Sequence, residues 1–297
     1  MTHLHHRSAC RALLVCALLA CAGLLAACGF SPGTIAADSA APHPSGSAAA
    51  PADLVAEYLP GLPAQLRFPT TDGPSPLIVM VPGGGWSSAD PTGLIPLARQ
   101  LTDAGSTTAL ITYATTGDGS TFPEAVDDVA CAVRWSVQQA ANQGHPPTDV
   151  VLLGHSAGGH LASLVTFSGQ EFGRECPDPP VDIDGLIGLA GVYDTDQVRA
   201  YLSDWMGVSP TEEPDMWRRV NPLEWLRRSP EISDGLRVLL IHGDADQSVP
   251  LQQTTALGEE LSSAGIDAQT LVLPGLGHLE IFEASNAGPP IIAWMDG

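Results

Sequence analysis

Residues 150–160 read Val150-Val151-Leu152-Leu153-Gly154-His155-Ser156-Ala157-Gly158-Gly159-His160. Four consecutive apolar residues suit a strand buried on both faces of a parallel sheet, where no polar alternation is needed. Gly154 and Gly158 bracket a serine in the pattern G-x-S-x-G. An apolar strand, a sharp turn at Ser156 and a helix-forming run over 158–167 form the setting that exposes a serine hydroxyl at a sheet edge. The small residues let the chain reverse without Cβ collisions. At a helix N-terminus the backbone N–H groups then face any negative charge that develops there. This stretch specifies a sheet architecture and a candidate nucleophile together.

Reading outward, the same short apolar runs recur at 77–81, 107–112, 186–189, 238–241 and 270–273, each bounded by turn residues. Helical periodicity lies between them over 95–104, 124–143 and 251–264. Strand–helix alternation predicts an α/β domain with a mostly parallel central sheet and helices on both faces. Segments near 55–58 and 65–68 predict an antiparallel edge. Residues 194–230 carry Trp205, Trp217 and Trp225 among Pro and Arg. They read as an irregular helical excursion over the strand C-termini, where such sheets place ligands.

A serine hydroxyl needs a base to remove its proton, and in this architecture acid and base follow in the order Ser, Asp, His. His242-Gly243-Asp244-Ala245-Asp246 follows the run 238–241, and Pro274-Gly275-Leu276-Gly277-His278 follows 270–273. Both segments fall on the same sheet edge as Ser156. His278 is therefore the candidate base, and a carboxylate at 244–246 orients it. Asp246 lies further into its loop and is the candidate acid; Asp244 is read as a turn organiser. His242, ending a strand, reads as structural, His155 as lining the turn, and His160 as a packed helix residue. After 77–81 come Pro82-Gly83-Gly84-Gly85-Trp86. Successive glycines let N–H groups approach a carbonyl oxygen, so two such donors with the Ala157 N–H would make an oxyanion hole, each worth ~3 kcal/mol of barrier. A phosphate-cradling loop is set aside, because the spacing fits neither G-x-x-x-x-G-K-[ST] nor G-x-G-x-x-G.

Composition narrows the partners. Apolar residues make up 44% of the 297 and charged residues 15%, which supports a large core. Twelve Arg, no Lys and 33 acids give a net charge of −21. That balance argues against a nucleic-acid or anionic-membrane surface. The N-terminus carries His and two Arg, then an uncharged run over 12–27. This is short for a spanning helix, which needs ~20 apolar residues, and reads as an export signal. The signal ends Leu25-Ala26-Ala27-Cys28, which resembles the bacterial lipoprotein lipobox. The resemblance implies cleavage before Cys28, lipidation of that residue and an extracytoplasmic, membrane-anchored protein. Two or three acyl chains anchor stably at ~0.8 kcal/mol per buried CH₂.

Cleavage removes two Arg and no acid, leaving ten Arg against 33 acids and a charge of −23. Residues 28–53 then form a lipidated Cys and a flexible Pro/Ser/Ala tether, and 54–297 the catalytic domain. Of six Cys, three fall in the signal and one is Cys28. Cys131 and Cys176 remain, and an exported domain with two thiols invites a disulfide. Two buried free thiols are the alternative. His3, His5 and His6 lie in the removed segment and no Cys/His spacing suits a metal, so neither metal nor cofactor is expected.

Taken with Phe122-Pro123-Glu124-Ala125-Val126-Asp127-Asp128-Val129 and Gly191-Val192-Tyr193-Asp194, these motifs resemble the α/β-hydrolase superfamily. The likeness is to its esterase group of BD-FAE, hormone-sensitive-lipase-like and kynurenine-formamidase-like enzymes, over about 55–297. It implies an α/β-hydrolase fold, carboxylic ester cleavage of a small-molecule substrate, Ser156 as nucleophile, Asp246 as acid, His278 as base, and Gly84, Gly85 and Ala157 as oxyanion donors. The chain departs from the family at Pro82, where a His usually precedes the glycines. Three rivals share the fold. A prolyl-oligopeptidase-type serine peptidase usually brings a large extra domain, and arylformamidase chemistry sits oddly on a lipoprotein. A non-catalytic binding lipoprotein would not need all three triad residues.

Overall fold

The computed structural model describes residues 53–228 and 235–297. The leader 1–27, Cys28 and the tether up to residue 52 lie outside the described residues. Eight strands build one sheet in the order β1-β2-β4-β3-β5-β6-β7-β8. β1 (Leu54–Leu59) and β2 (Leu62–Arg67) form an antiparallel hairpin, and β2 pairs antiparallel with β4 (Thr107–Ile111). The rest is parallel: β3 (Ser75–Val81), β5 (Pro147–His155), β6 (Gly185–Leu189), β7 (Arg237–Gly243) and β8 (Asp267–Leu273). This is the mostly parallel α/β sheet expected from the apolar runs, and the α/β-hydrolase fold implied by the family resemblance.

The central strands are apolar on both faces because helices cover both. α1 (Ile95–Asp103) and α8 (Ala284–Met295) bury Leu97, Leu101, Ile291 and Trp294 against Ile78, Met80, Val151 and Leu153. On the other face lie α2 (Glu124–Asn142), α3 (Ala157–Phe167) and α7 (Gln252–Ser263), packed on Leu77, Val79, Leu152 and Leu240. Each fully buried Leu, Ile or Val contributes about 1.5–3 kcal/mol through the water it sheds. α2 meets its sheet through an amphipathic stripe, with Glu124 and Asp127 in its first turn complementing the helix dipole. Every residue of α3 is buried, so this helix is packed on all sides. It sets the position of Ser156 by being unable to move.

α8 lies beyond the helical segments read from the sequence; Pro289 and Pro290 stand inside it, and Pro lacks the N–H a helix interior uses. Packing outweighs that cost. Gly288 lets α8 approach α1 so closely that a Cβ there would meet the Gln100 side chain. β8 is an edge strand with alternating exposure, unlike the fully buried β4 and β6.

The excursion contains α4 (Arg199–Met206), α5 (Pro214–Arg219) and α6 (Pro222–Arg228). Trp205 and Trp217 are buried within it, so both serve packing. Cys131 on α2 and Cys176 in the loop after α3, 45 positions further along the chain, form a disulfide with Cα atoms 5.2 Å apart. Arg134 donates to the Gly173 and Phe172 carbonyls, and Asp127 accepts from the Gly173 N–H at 2.6 Å. Three independent ties thus hold the post-α3 loop to α2, the covalent one worth on the order of 4 kcal/mol in the chain-entropy account.

Candidate active site

Ser156 sits between the end of β5 and the first residue of α3, with φ 54° and ψ −121°. A non-glycine residue takes this left-handed geometry only where the surroundings enforce it. Its N–H donates to the Leu189 carbonyl at the end of β6 (3.0 Å), and its carbonyl accepts from the His160 N–H (3.2 Å). The flanking glycines are required by contact. A Cβ at Gly154 would lie 2.3 Å from the Gly158 carbonyl, and one at Gly158 would lie 2.2 Å from the Val81 carbonyl. The other positive-φ non-glycine residues among those described are Trp86 and Ala190. They follow β3 and β6, the strands on either side of β5. Backbone strain therefore gathers at one end of the sheet.

The loops after β7 and β8 bring Asp246 and His278 to that end. His278 Nε2 lies 2.9 Å from Ser156 Oγ, and its Nδ1 lies 2.7 Å from Asp246 Oδ2. Asp246 Oδ1 accepts from the N–H groups of Ser248 (2.7 Å) and Val249 (2.9 Å). Burial by itself favours a protonated Asp246, but the Val249 N–H, the His278 ring and the Ser248 N–H outweigh it and hold the carboxyl below its ordinary range. A carboxylate facing Nδ1 selects the His278 tautomer that leaves Nε2 free to accept from the serine. Asp244 points elsewhere: it accepts from the Gly275 N–H at 2.6 Å and ties the two loops together.

Gly84, Gly85 and Ala157 lie at the mouths of β3 and β5. Gly84 takes φ 142°, and its carbonyl accepts from Ser87 and Ser88 N–H groups at 3.1 Å each, closing a tight turn. The N–H groups of Gly84, Gly85 and Ala157 have no acceptor among the described residues. Tyr113, just past β4, donates its hydroxyl to the Pro82 carbonyl at 2.9 Å. Thus the loop is held through its backbone at Pro82. The only sequence signal for Tyr113 was its place directly after the run 107–112.

Three neutral histidines surround these groups. His155 lies with Nε2 2.9 Å from the His278 carbonyl and its ring 4.7 Å from the His278 ring. Burial, then the neighbouring His278, push it down to about 4. His160 accepts from Trp86 Nε1 (3.1 Å) and donates to the Val220 carbonyl (2.7 Å), linking the glycine loop, α3 and the excursion. Burial pushes it down to about 4. His242 is fully buried and reaches Asp246 itself, with Nε2 3.3 Å from Oδ2. Among the described residues, no group of three or more His, Cys, Asp or Glu could hold a metal ion, and no helix is long and apolar enough to cross a membrane.

Residues 66–261 match the family model BD-FAE. The chain belongs to the BD-FAE family. Among relatives of this BD-FAE chain, esterase LipC of Mycobacterium tuberculosis is 27% identical over 232 residues, covering 73% of this chain and 56% of its own length. A probable isoprenylcysteine alpha-carbonyl methylesterase of Arabidopsis thaliana, ICMEL2, is 25% identical, covering 72% of this chain and 53% of its own length. The chain thus spans about half the length of these relatives. A solved carbohydrate esterase from gut microbiota, in truncated form, superposes with a TM-score of 0.67 at 20% identity, covering 78% of this chain and 89% of its own. The esterase Est2 of Thermogutta terrifontis gives 0.65 at 21% identity, covering 84% and 91%. The solved structures share the fold.

Proposed function

We propose that this BD-FAE chain is a serine hydrolase that cleaves carboxylic esters through an acyl-enzyme. The observation that carries this reading is His278 standing between Ser156 and Asp246 at hydrogen-bonding distance from both. In the proposed cycle His278 Nε2 takes the Ser156 proton as Oγ attacks the ester carbonyl. The Gly84, Gly85 and Ala157 N–H groups receive the oxyanion, and His278 returns the proton to the departing alkoxide. A water, deprotonated by His278, then releases the carboxylic acid and restores Ser156. Esterase names among the relatives support ester cleavage over peptidase or formamidase chemistry. The intact set of three side chains weighs against a non-catalytic scaffold.

The substrate reading is a short or compact acyl group. Trp205 stacks on Trp86 with ring centroids 5.7 Å apart, and Trp217 donates its indole N–H to the Val208 carbonyl. Both indoles fill space beside the site instead of walling an open tunnel. Each added methylene gains ~0.8 kcal/mol only while there is apolar surface to bury it. Across soluble p-nitrophenyl esters, kcat/KM is expected to peak at acetate or butyrate and to fall by decanoate. A maximum at ten carbons or beyond would defeat this reading.

The proposed location is the outer side of a bacterial membrane, held by lipid on Cys28; the motif Leu25-Ala26-Ala27-Cys28 motivates it. Expressed in cells fed a labelled fatty acid, wild type should incorporate label and partition into detergent, while Cys28→Ser should do neither. Equal labelling of both forms would remove the anchor from the proposal.

A further inference from the structure

Asp246 has a second imidazole on it. His242 Nε2 lies 3.0 Å from the Val249 carbonyl and 3.3 Å from Asp246 Oδ2. A carbonyl and a carboxylate can only accept, so this nitrogen carries the proton, donating it to the Val249 carbonyl with the carboxylate close beside it. On the other side of the ring, Nδ1 lies 2.6 Å from Thr254 Oγ1. In a neutral ring with Nε2 protonated, Nδ1 is a bare acceptor, so the Thr254 hydroxyl must donate. The ring is neutral because burial disfavours its charged form. His242 and Thr254 are both fully buried, and the Asp246 side chain is 1% exposed, so no water competes along the chain.

We propose that Thr254 and His242 are positioning residues for the acid: they extend the hydrogen-bonded line Ser156–His278–Asp246 by two buried groups and fix the carboxylate that aims His278. The carboxylate accepts from Ser248 and Val249 on Oδ1 and from His278 on Oδ2, and the His242 N–H lies 3.3 Å from that same Oδ2. Those on Oδ1 come from its own loop and set its tilt. His242 stands on β7 and its partner Thr254 on α7, both core elements. It therefore ties the loop carboxylate to the rigid sheet rather than to another loop. No proton needs to leave His242; its effect is to restrict the rotation of Asp246 in a low-dielectric site, where each bond counts for more than in water.

The inference rests on the proposed triad, so the test keeps the two separable. Full-length wild type, Ser156→Ala, His242→Leu, His242→Gln, Thr254→Val and the Leu/Val double variant are compared on p-nitrophenyl butyrate. Fluorophosphonate labelling of wild type and of Ser156→Ala is the control arm. Gln offers one N–H donor and one oxygen acceptor at nearly the spacing of the two imidazole nitrogens. His242→Leu is expected to lower kcat about 10- to 100-fold with KM within about twofold, and His242→Gln to recover most of the loss. Thr254→Val, which removes only the hydroxyl, should lose about 3- to 10-fold in kcat. The double variant should lose no more than His242→Leu alone, because the two act in series.

An architectural His242 would lower the melting temperature and leave kcat per folded molecule unchanged. That result, a Gln variant no better than Leu, or additive losses in the double variant would each overturn the positioning role while wild type still labels at Ser156. Failure of wild type to label, or label retained by Ser156→Ala, would instead overturn the triad. Should His242→Leu not fold, Thr254→Val decides: an unchanged kcat there refutes the proposal.

Discussion

Ser156→Ala is expected to reduce kcat on a p-nitrophenyl ester by on the order of 10⁶-fold, with KM little changed. The substitution removes one oxygen from a half-buried residue between β5 and the fully buried α3, so folding is not at risk. Ala keeps the Cβ and gives up only the group that would bond to the substrate carbonyl. His278→Ala should be comparably inactive, and the double variant no worse than either, because nucleophile and base act as a unit. Residual turnover above the uncatalysed rate would come from the N–H groups of Gly84, Gly85 and Ala157. Retention of a tenth or more of wild-type kcat in purified Ser156→Ala would refute acyl-enzyme chemistry at this serine.

The second large effect is expected at Asp246. Asp246→Asn should lower kcat by on the order of 10⁴-fold. The Ser248 and Val249 N–H groups hold one oxygen of the carboxyl, so the Asn amide oxygen stays there and the NH₂ takes the place of Oδ2. That NH₂ then faces His278 Nδ1 at the former 2.7 Å contact. Two donors cannot share a hydrogen bond, so His278 must move its proton to Nε2. In that tautomer it cannot accept from Ser156. Asp244→Asn keeps an oxygen for the Gly275 N–H and should stay within about threefold of wild type. Parallel kcat determinations on the two Asn variants make the comparison. If Asp244→Asn proved the more damaging, the acid assignment would be wrong.

The separation of these two aspartates was only half legible beforehand. Both stand in one five-residue segment after β7, and chain position favoured Asp246 only by placing it deeper in the loop. Distance along the loop says which residue can reach across, not which way its side chain turns. The N–H groups of Ser248 and Val249 decide that. His242 shows the opposite limit. Reading it as structural accounts for its burial and its contacts to Thr254 and Val249, but no spacing rule places a strand-end His on a carboxylate four residues later.

α8 and the glycine loop show a further limit. No helix is read from the sequence after 264; α8 forms there with Pro289 and Pro290 inside it, held by the packing of Ile291 and Trp294 on the sheet. Pro82 offers this loop no side-chain hydrogen bond, and the Tyr113 hydroxyl that holds it comes from just past β4, 31 residues further along the chain.

What the sequence determined by itself was the alternation of elements and the edge of the sheet on which Ser156, Asp246 and His278 fall. Those follow from local chemistry: apolar runs without alternation must be covered on both faces, and parallel strands end on one side. The tertiary structure alone decided the strand order and the 54° φ of Ser156. It also decided which carboxylate oxygen faces which nitrogen. These depend on side chains from distant segments meeting within 3 Å. Residue spacing does not encode such contacts; close packing of the whole core does.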